Sequence, residues 1–294
     1  MSLVKRHPLI TFFVLTYALA WIIESPLVFL RDSVTDAQGL VLVMLASNVP
    51  SVLGIVLTAV VLGRGALRKL LGRLLIWRVN PLWYLVVVLG PVALAGGVVG
   101  LNTLLGGPAL SLGMPILGVA FFLAFSIFPG SALGEEIGWR GYALPRLQAG
   151  RSALSASLLL APIWALWHLP LWLTGKPTST PTFYAAFVVS AIALSVILTW
   201  VYNSTGGSLL MVVLLHATMN LPQTLAIDEL GSRATVPVLL YWGLLVVAAI
   251  VVVIVAGPKH LSRKHRKQEE EEEEEGAAEP GVATPPGVVK PTPA

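Results

Sequence analysis

The sequence predicts an all-α, polytopic membrane protein of about eight transmembrane helices with both termini cytoplasmic, and three observations carry that prediction. Of 294 residues, 56% are hydrophobic and 12% charged, and the mean hydropathy is +0.82, too apolar for a soluble domain of this size. Apolar stretches of roughly the 20 residues that a bilayer crossing needs recur near 8–30, 39–62, 81–105, 114–133, 153–173, 183–201, 207–225 and 234–256. Finally, the connectors between them alternate in Lys and Arg content, as loops on opposite sides of a membrane do.

The basic side begins with Lys5 and Arg6 and continues through Arg64, Arg68, Lys69, Arg73 and Arg78 in the second connector. It takes in Arg140, Arg146 and Arg151 in the fourth connector, and Lys259, Arg263, Lys264, Arg266 and Lys267 after the last span. The alternate connectors hold Arg31 with two aspartates, no charge, a single Lys176, and Arg233 with Asp228 and Glu229. Asn203–Gly207 is uninformative. The first span has no convincing cleavage site, so no cleavable signal peptide is expected. Gly96, Gly97 and Gly100 in the third span predict close helix packing. Pro129 and Gly130 break the fourth, so the helix that follows begins there and runs to about Leu144.

Trp77, Trp83, Tyr84, Trp172, Tyr202, Tyr241 and Trp242 fall near span ends and read as interfacial anchors. The chain divides into a membrane domain over 1–257 and a tail over 258–294. In that tail a basic cluster, suited to anionic headgroups, precedes the run Glu269–Glu275 and a Pro, Gly and Ala-rich end. Such sequence cannot bury a core, so 268–294 is expected to be disordered. The chain has no cysteine, which excludes disulfides, thiolate metal sites and cysteine nucleophiles. The pI near 9.5 reflects topology-setting cations, and no nucleic-acid partner is expected.

Ionisable groups inside such apolar sequence are functional candidates, because each costs several kcal/mol to insert. Glu135, Glu136 and Arg140 form one grouping. On a helix Glu136 and Arg140 share a face as a carboxylate–guanidinium pair, while Glu135, about 100° away, is left for chemistry. Trp164 and His168 form a second grouping, and His216 and Asn220 a third, each spaced by four. His7, His260 and His265 lie in cationic flanks and read as solvated or headgroup-facing. Two imidazoles, a carboxylate and a carboxamide can activate a water and hold an oxyanion, and they can equally bind Zn²⁺. A lone membrane histidine is usually a hydrogen-bonded packing residue; its company here argues for more. For Glu136 and Arg140 a structural ion pair stands beside a chemical role.

At these residues the chain resembles the CPBP family, which includes the type II CAAX prenyl endopeptidases and the Abi-like bacterial proteins. Glu135, Glu136 and Arg140 match its Glu-Glu-x-x-x-Arg motif; Trp164 and His168 match Phe-x-x-x-His with tryptophan for phenylalanine; His216 and Asn220 match His-x-x-x-Asn/Asp. The resemblance covers about 125–225. It implies an eight-helix membrane fold with a cytosol-facing cavity and a membrane-associated protein or peptide substrate, a CAAX-like prenylated one included. It also implies residence in a membrane, the bacterial cytoplasmic membrane among the family's locations. The catalytic set it implies is Glu135 as general base, His168 as its partner on water, and His216 and Asn220 as oxyanion donors. Glu136, Arg140 and Trp164 are implied to support them. A metal-dependent version would use Glu135, His168 and His216. Two readings from other classes remain: a non-catalytic immunity or scaffold protein, for which Glu135→Gln would be silent, and a transporter relay, against which the lack of an internal repeat counts.

Overall fold

The computed structural model describes residues 3–107, 115–175, 179–228 and 235–263. Among them the protein is all helical, with no strand. In order the helices are α1 (Leu3–Arg6), α2 (Pro8–Phe29), α3 (Asp36–Gly72), α4 (Leu82–Leu104), α5 (Ile116–Phe125), α6 (Ala132–Glu136), α7 (Leu144–Gln148), α8 (Ala153–Trp167), α9 (Leu169–Trp172), α10 (Pro181–Ser204), α11 (Leu209–Asp228) and α12 (Thr235–Ala256). Between α6 and α7 the chain continues as a widened π-type turn over Ile137–Ala143.

Among the described residues six helical stretches are long and apolar enough to cross a membrane: Pro8–Phe29, Asp36–Leu75, Leu82–Leu104, Leu117–Gln148, Pro181–Ser204 and Val236–Ala256. The fifth and seventh expected spans fall on the shorter apolar helices Ala153–Trp167 and Leu209–Asn220. Outward-facing side chains are apolar, with Val60 61%, Val92 61%, Phe121 73% and Ile254 70% exposed, a surface suited to lipid rather than water. The expected tail lies, from residue 264 on, outside the described residues.

Local chemistry sets the helix boundaries. Thr35 caps α3 through a reciprocal box with Gln38, and Ser152 caps α8 by accepting from the Ser155 amide. Thr180 does the same for α10 ahead of Pro181. Within the fourth span the backbone leaves helical geometry at Phe128 (φ −158°, ψ 131°), and α6 starts afresh at Ala132, as Pro129 and Gly130 predict.

In lipid, close packing rather than hydrophobic expulsion holds helices together, so small residues mark the tightest contacts. A Cβ on Gly138 would lie 2.4 Å from the Pro50 carbonyl oxygen, and one on Gly134 2.6 Å from that of Ser47. Thus α6 and the turn after it lie almost backbone to backbone on α3. The packing expected of the third span is narrower: Gly97 meets Leu244 at 3.1 Å, while Gly96 and Gly100 have nothing within 4 Å.

Helix α2 clamps α8 from the other side. Trp21 Nε1 donates to the Trp167 carbonyl at 2.9 Å, and the Tyr17 hydroxyl donates to that of Ile163. Phe12 stands edge-on to Trp139 at 5.5 Å, and Trp139 edge-on to Trp167 at 5.8 Å. The anchor reading fails for Tyr202, Tyr241 and Trp242, which are 5%, 3% and 4% exposed. Their helices α10 and α12 pack on one another, and α12 also packs on α4, which turns these rings inward.

Candidate active site

Helices α6, α8 and α11 bring the three polar groupings into one place. Glu135, Trp164, His168, His216 and Asn220 all line a single cavity of about 210 Å³, together with Ser47, Ser131, Ser190 and Tyr241. Glu136 and Arg140 lie behind it, both 0% exposed.

The two adjacent glutamates are sorted by their partners. Glu136 Oε1 accepts from Arg140 Nη1 at 2.8 Å and faces His216 Nδ1 at 2.7 Å. Its charge is therefore matched by a buried guanidinium, the pairing that spacing by four predicts. Glu135 has no ion pair among the described residues. Its Oε2 accepts from the Trp164 indole N–H at 2.6 Å. That bond fixes the carboxylate of a residue that lines the cavity.

Trp164 sits at the centre of the cluster. Arg140 Cζ lies 4.6 Å from its ring centroid, a cation–π distance, and its ring is edge-on to His168 at 5.6 Å and His216 at 5.7 Å. Tryptophan in place of phenylalanine therefore adds a hydrogen-bond donor to a packing position.

The two imidazoles are oriented through Nδ1. His168 Nδ1 faces the Trp164 carbonyl at 2.9 Å; a carbonyl only accepts, so that nitrogen carries the hydrogen and the neutral ring keeps a lone pair at Nε2. His216 is held by Glu136 in the same sense, and it can donate from Nε2 only as an imidazolium. Asn220 spends its amide hydrogens on Ser126 at 3.0 Å and Ser131 at 3.1 Å.

Three residues escaped sequence reasoning. Ser131 and Ser126 hold the Asn220 amide, and Ser131 also lines the cavity; serines in an apolar helix carry too weak a signal to single out. Glu24 in α2 is 2% exposed with a buried Oε2 that lacks a hydrogen-bond partner, and it lies within electrostatic reach of Glu135. An acid inside the apolar run 8–30 was a usable signal for it.

Among the described residues no three His, Asp or Glu side chains converge to hold an ion, so Glu135, His168 and His216 are not drawn together as a ligand set.

Residues 115–222 match the family model described as Type II CAAX prenyl endopeptidase Rce1-like. Over that segment the likeness to the CPBP family is shown. The matched segment contains all three motifs of this CPBP-like region. The chain is also 33% identical over 101 residues to CAAX prenyl protease 2 of Methanococcus maripaludis, a stretch covering 32% of this chain and 37% of that protein. The aligned part thus spans just over a third of the curated relative's length.

Proposed function

We propose that the protein is an intramembrane endopeptidase that hydrolyses a peptide bond of a membrane-associated protein or peptide, with water activated by Glu135. The observation that carries this reading is the sorting of the glutamates: Glu136 is committed to Arg140 and His216, while Glu135 is held by one oxygen and carries no counter-charge. A fixed, unpaired carboxylate on the wall of a small cavity shared with two imidazoles is suited to take a proton from water. The match to a CAAX endopeptidase model supports the same class.

In this mechanism Glu135 takes the proton as the water oxygen bonds to the scissile carbonyl carbon. His168 Nε2, with its lone pair, accepts the water's second hydrogen bond and aligns the nucleophile. The oxyanion is met by the Ser131 hydroxyl, which accepts from the Asn220 amide and keeps its own hydrogen to donate, and by His216 Nε2 when protonated, with Asn220 acting through Ser131. Collapse breaks the C–N bond, and the proton held by Glu135 passes to the leaving nitrogen. Arg140 and Glu136 hold His216 in register. We extend the reading to a prenylated CAAX-like substrate on the name of the archaeal relative. No step is routed through a metal ion.

The test compares new protein termini in membranes of cells expressing the wild-type chain or Glu135→Gln at equal abundance. Termini that arise only with the wild type are expected, and they name the substrates. Identical termini with both proteins inserted would sink the protease reading in favour of a non-catalytic immunity or scaffold role.

A further inference from the structure

Away from the carboxylate site, the ends of α3, α7, α10 and α12 surround a second cavity of about 840 Å³. Arg73, Arg151, Lys259, Gln148, Tyr202 and Asn203 line it, and among the described residues no acidic side chain does. Two of its buried donors lack an acceptor. Tyr202 is 5% exposed, yet its hydroxyl has no hydrogen-bond partner. The side-chain amide nitrogen of Gln148 is likewise buried without one. Among the described residues neither Arg73 nor Arg151 pairs with a carboxylate, and Arg73 Cζ lies 5.4 Å from the Tyr202 ring.

The neighbouring helix end does not explain the cavity. The first amides of α8, those of Ala153 and Leu154, are already taken by the carbonyls of Lys259 and Pro258, and that of Ser155 by Ser152 Oγ. A ligand there is therefore not held by that helix terminus. Gly207, at φ +81°, keeps the floor open beside Tyr202 and Arg73, since a side chain there would be strained.

Buried donors without acceptors cost free energy that a ligand bearing several acceptor oxygens would recover. Unpaired guanidinium groups select anions, and their planar forks fit phosphate. We propose that this cavity binds a phosphate group, held by Arg73, Arg151, Tyr202 and Gln148. The same chemistry is offered by an anionic phospholipid headgroup at the bilayer edge and by phosphate free in solution. The site stands independently of the endopeptidase reading.

The experiment is native mass spectrometry of the full chain in detergent, titrated in one arm with phosphatidylglycerol and in the other with inorganic phosphate. Saturable binding is expected in at least one arm; the lipid arm alone identifies a headgroup site, and the phosphate arm a soluble one. Arg151→Gln should weaken binding roughly tenfold and Tyr202→Phe roughly threefold, the second without a change in charge. Arg68→Gln, an exposed cation outside the cavity, should leave it unchanged. No binding in either arm overturns the proposal. So does a loss in Arg68→Gln equal to that in Arg151→Gln with Tyr202→Phe unaffected, which would mean diffuse surface charge. Binding that appears only when Glu269–Glu275 are changed to glutamine would also overturn it, because the chain's own acidic run would then be the occupant.

Discussion

At the scale of single residues, the site turns on what each polar group already holds. Trp164→Phe keeps a ring between the two histidines but removes the N–H that fixes Glu135. A hydrogen bond to a charged group contributes about 1.5–3 kcal/mol, so kcat should fall roughly tenfold or more with KM little changed. A parallel rise in KM with an unchanged kcat would show that Trp164 serves substrate binding instead. Glu24 poses the opposite question. Its buried, unpartnered oxygen carries a desolvation cost, so Glu24→Met should raise resistance to unfolding by roughly 1–3 kcal/mol. Turnover measured on the same variant decides whether the cost supports function: unchanged kcat would make Glu24 structural. The Glu136–Arg140 pair was legible in the sequence because helical spacing by four is a local property. The bonds from Trp164 to Glu135 and from His216 to Glu136 were not. They join residues 29 and 80 positions apart, and only the packing of three helices brings those atoms together.

At the scale of elements, the position of α6 depends on its contact with α3. Gly134 and Gly138 face Ser47 and Pro50 at distances no side chain could occupy. Their spacing by four is the small-residue pattern of packed membrane helices, and in the sequence it is interleaved with Glu135, Glu136 and Arg140. The glycines picked out instead, Gly96 and Gly100, face open space, because periodicity gives the spacing of small residues and not the direction of their face. Gly138→Ala should therefore destabilise by about 1–3 kcal/mol through forced separation of the two backbones. Gly90→Ala, in α4 with nothing within 4 Å, should be neutral or stabilising by up to about 1 kcal/mol. Reversible unfolding in mixed micelles measures both, and equal effects would mean that the close approach is not what positions α6. Arg140→Ala acts through the same element. It leaves Glu136 buried without its cation, and a loss of about 3–5 kcal/mol is expected in the same assay.

For the whole molecule, the eight apolar stretches read from the sequence fall on helical segments, the fourth and fifth broken into shorter pieces near Pro129 and at His168, and six helical stretches among the described residues are long and apolar enough to span. Hydropathy finds such helices because every backbone polar group in lipid must be satisfied within its own segment. Sidedness follows from different physics, the placement of Lys and Arg. The structure adds a spatial correlate: Arg73, Arg151 and Lys259, from three separate basic connectors, converge around one cavity. If the alternation of charge sets the topology, that end of the bundle and both termini face the cytoplasm. The lack of any native cysteine makes this directly measurable, since a single introduced thiol is the only one to label. Ser2→Cys and Arg68→Cys should be blocked by a membrane-impermeant maleimide only after the cytoplasmic face is opened. Asp32→Cys, in the connector between α2 and α3, should react in intact cells. Reversal of that pattern would place the phosphate cavity and the basic connectors on the outer face, and would mean that the Lys and Arg bias does not set the topology of this chain; labelling of Ser2→Cys and Arg68→Cys on opposite faces would instead mean that one of the first two helices does not cross.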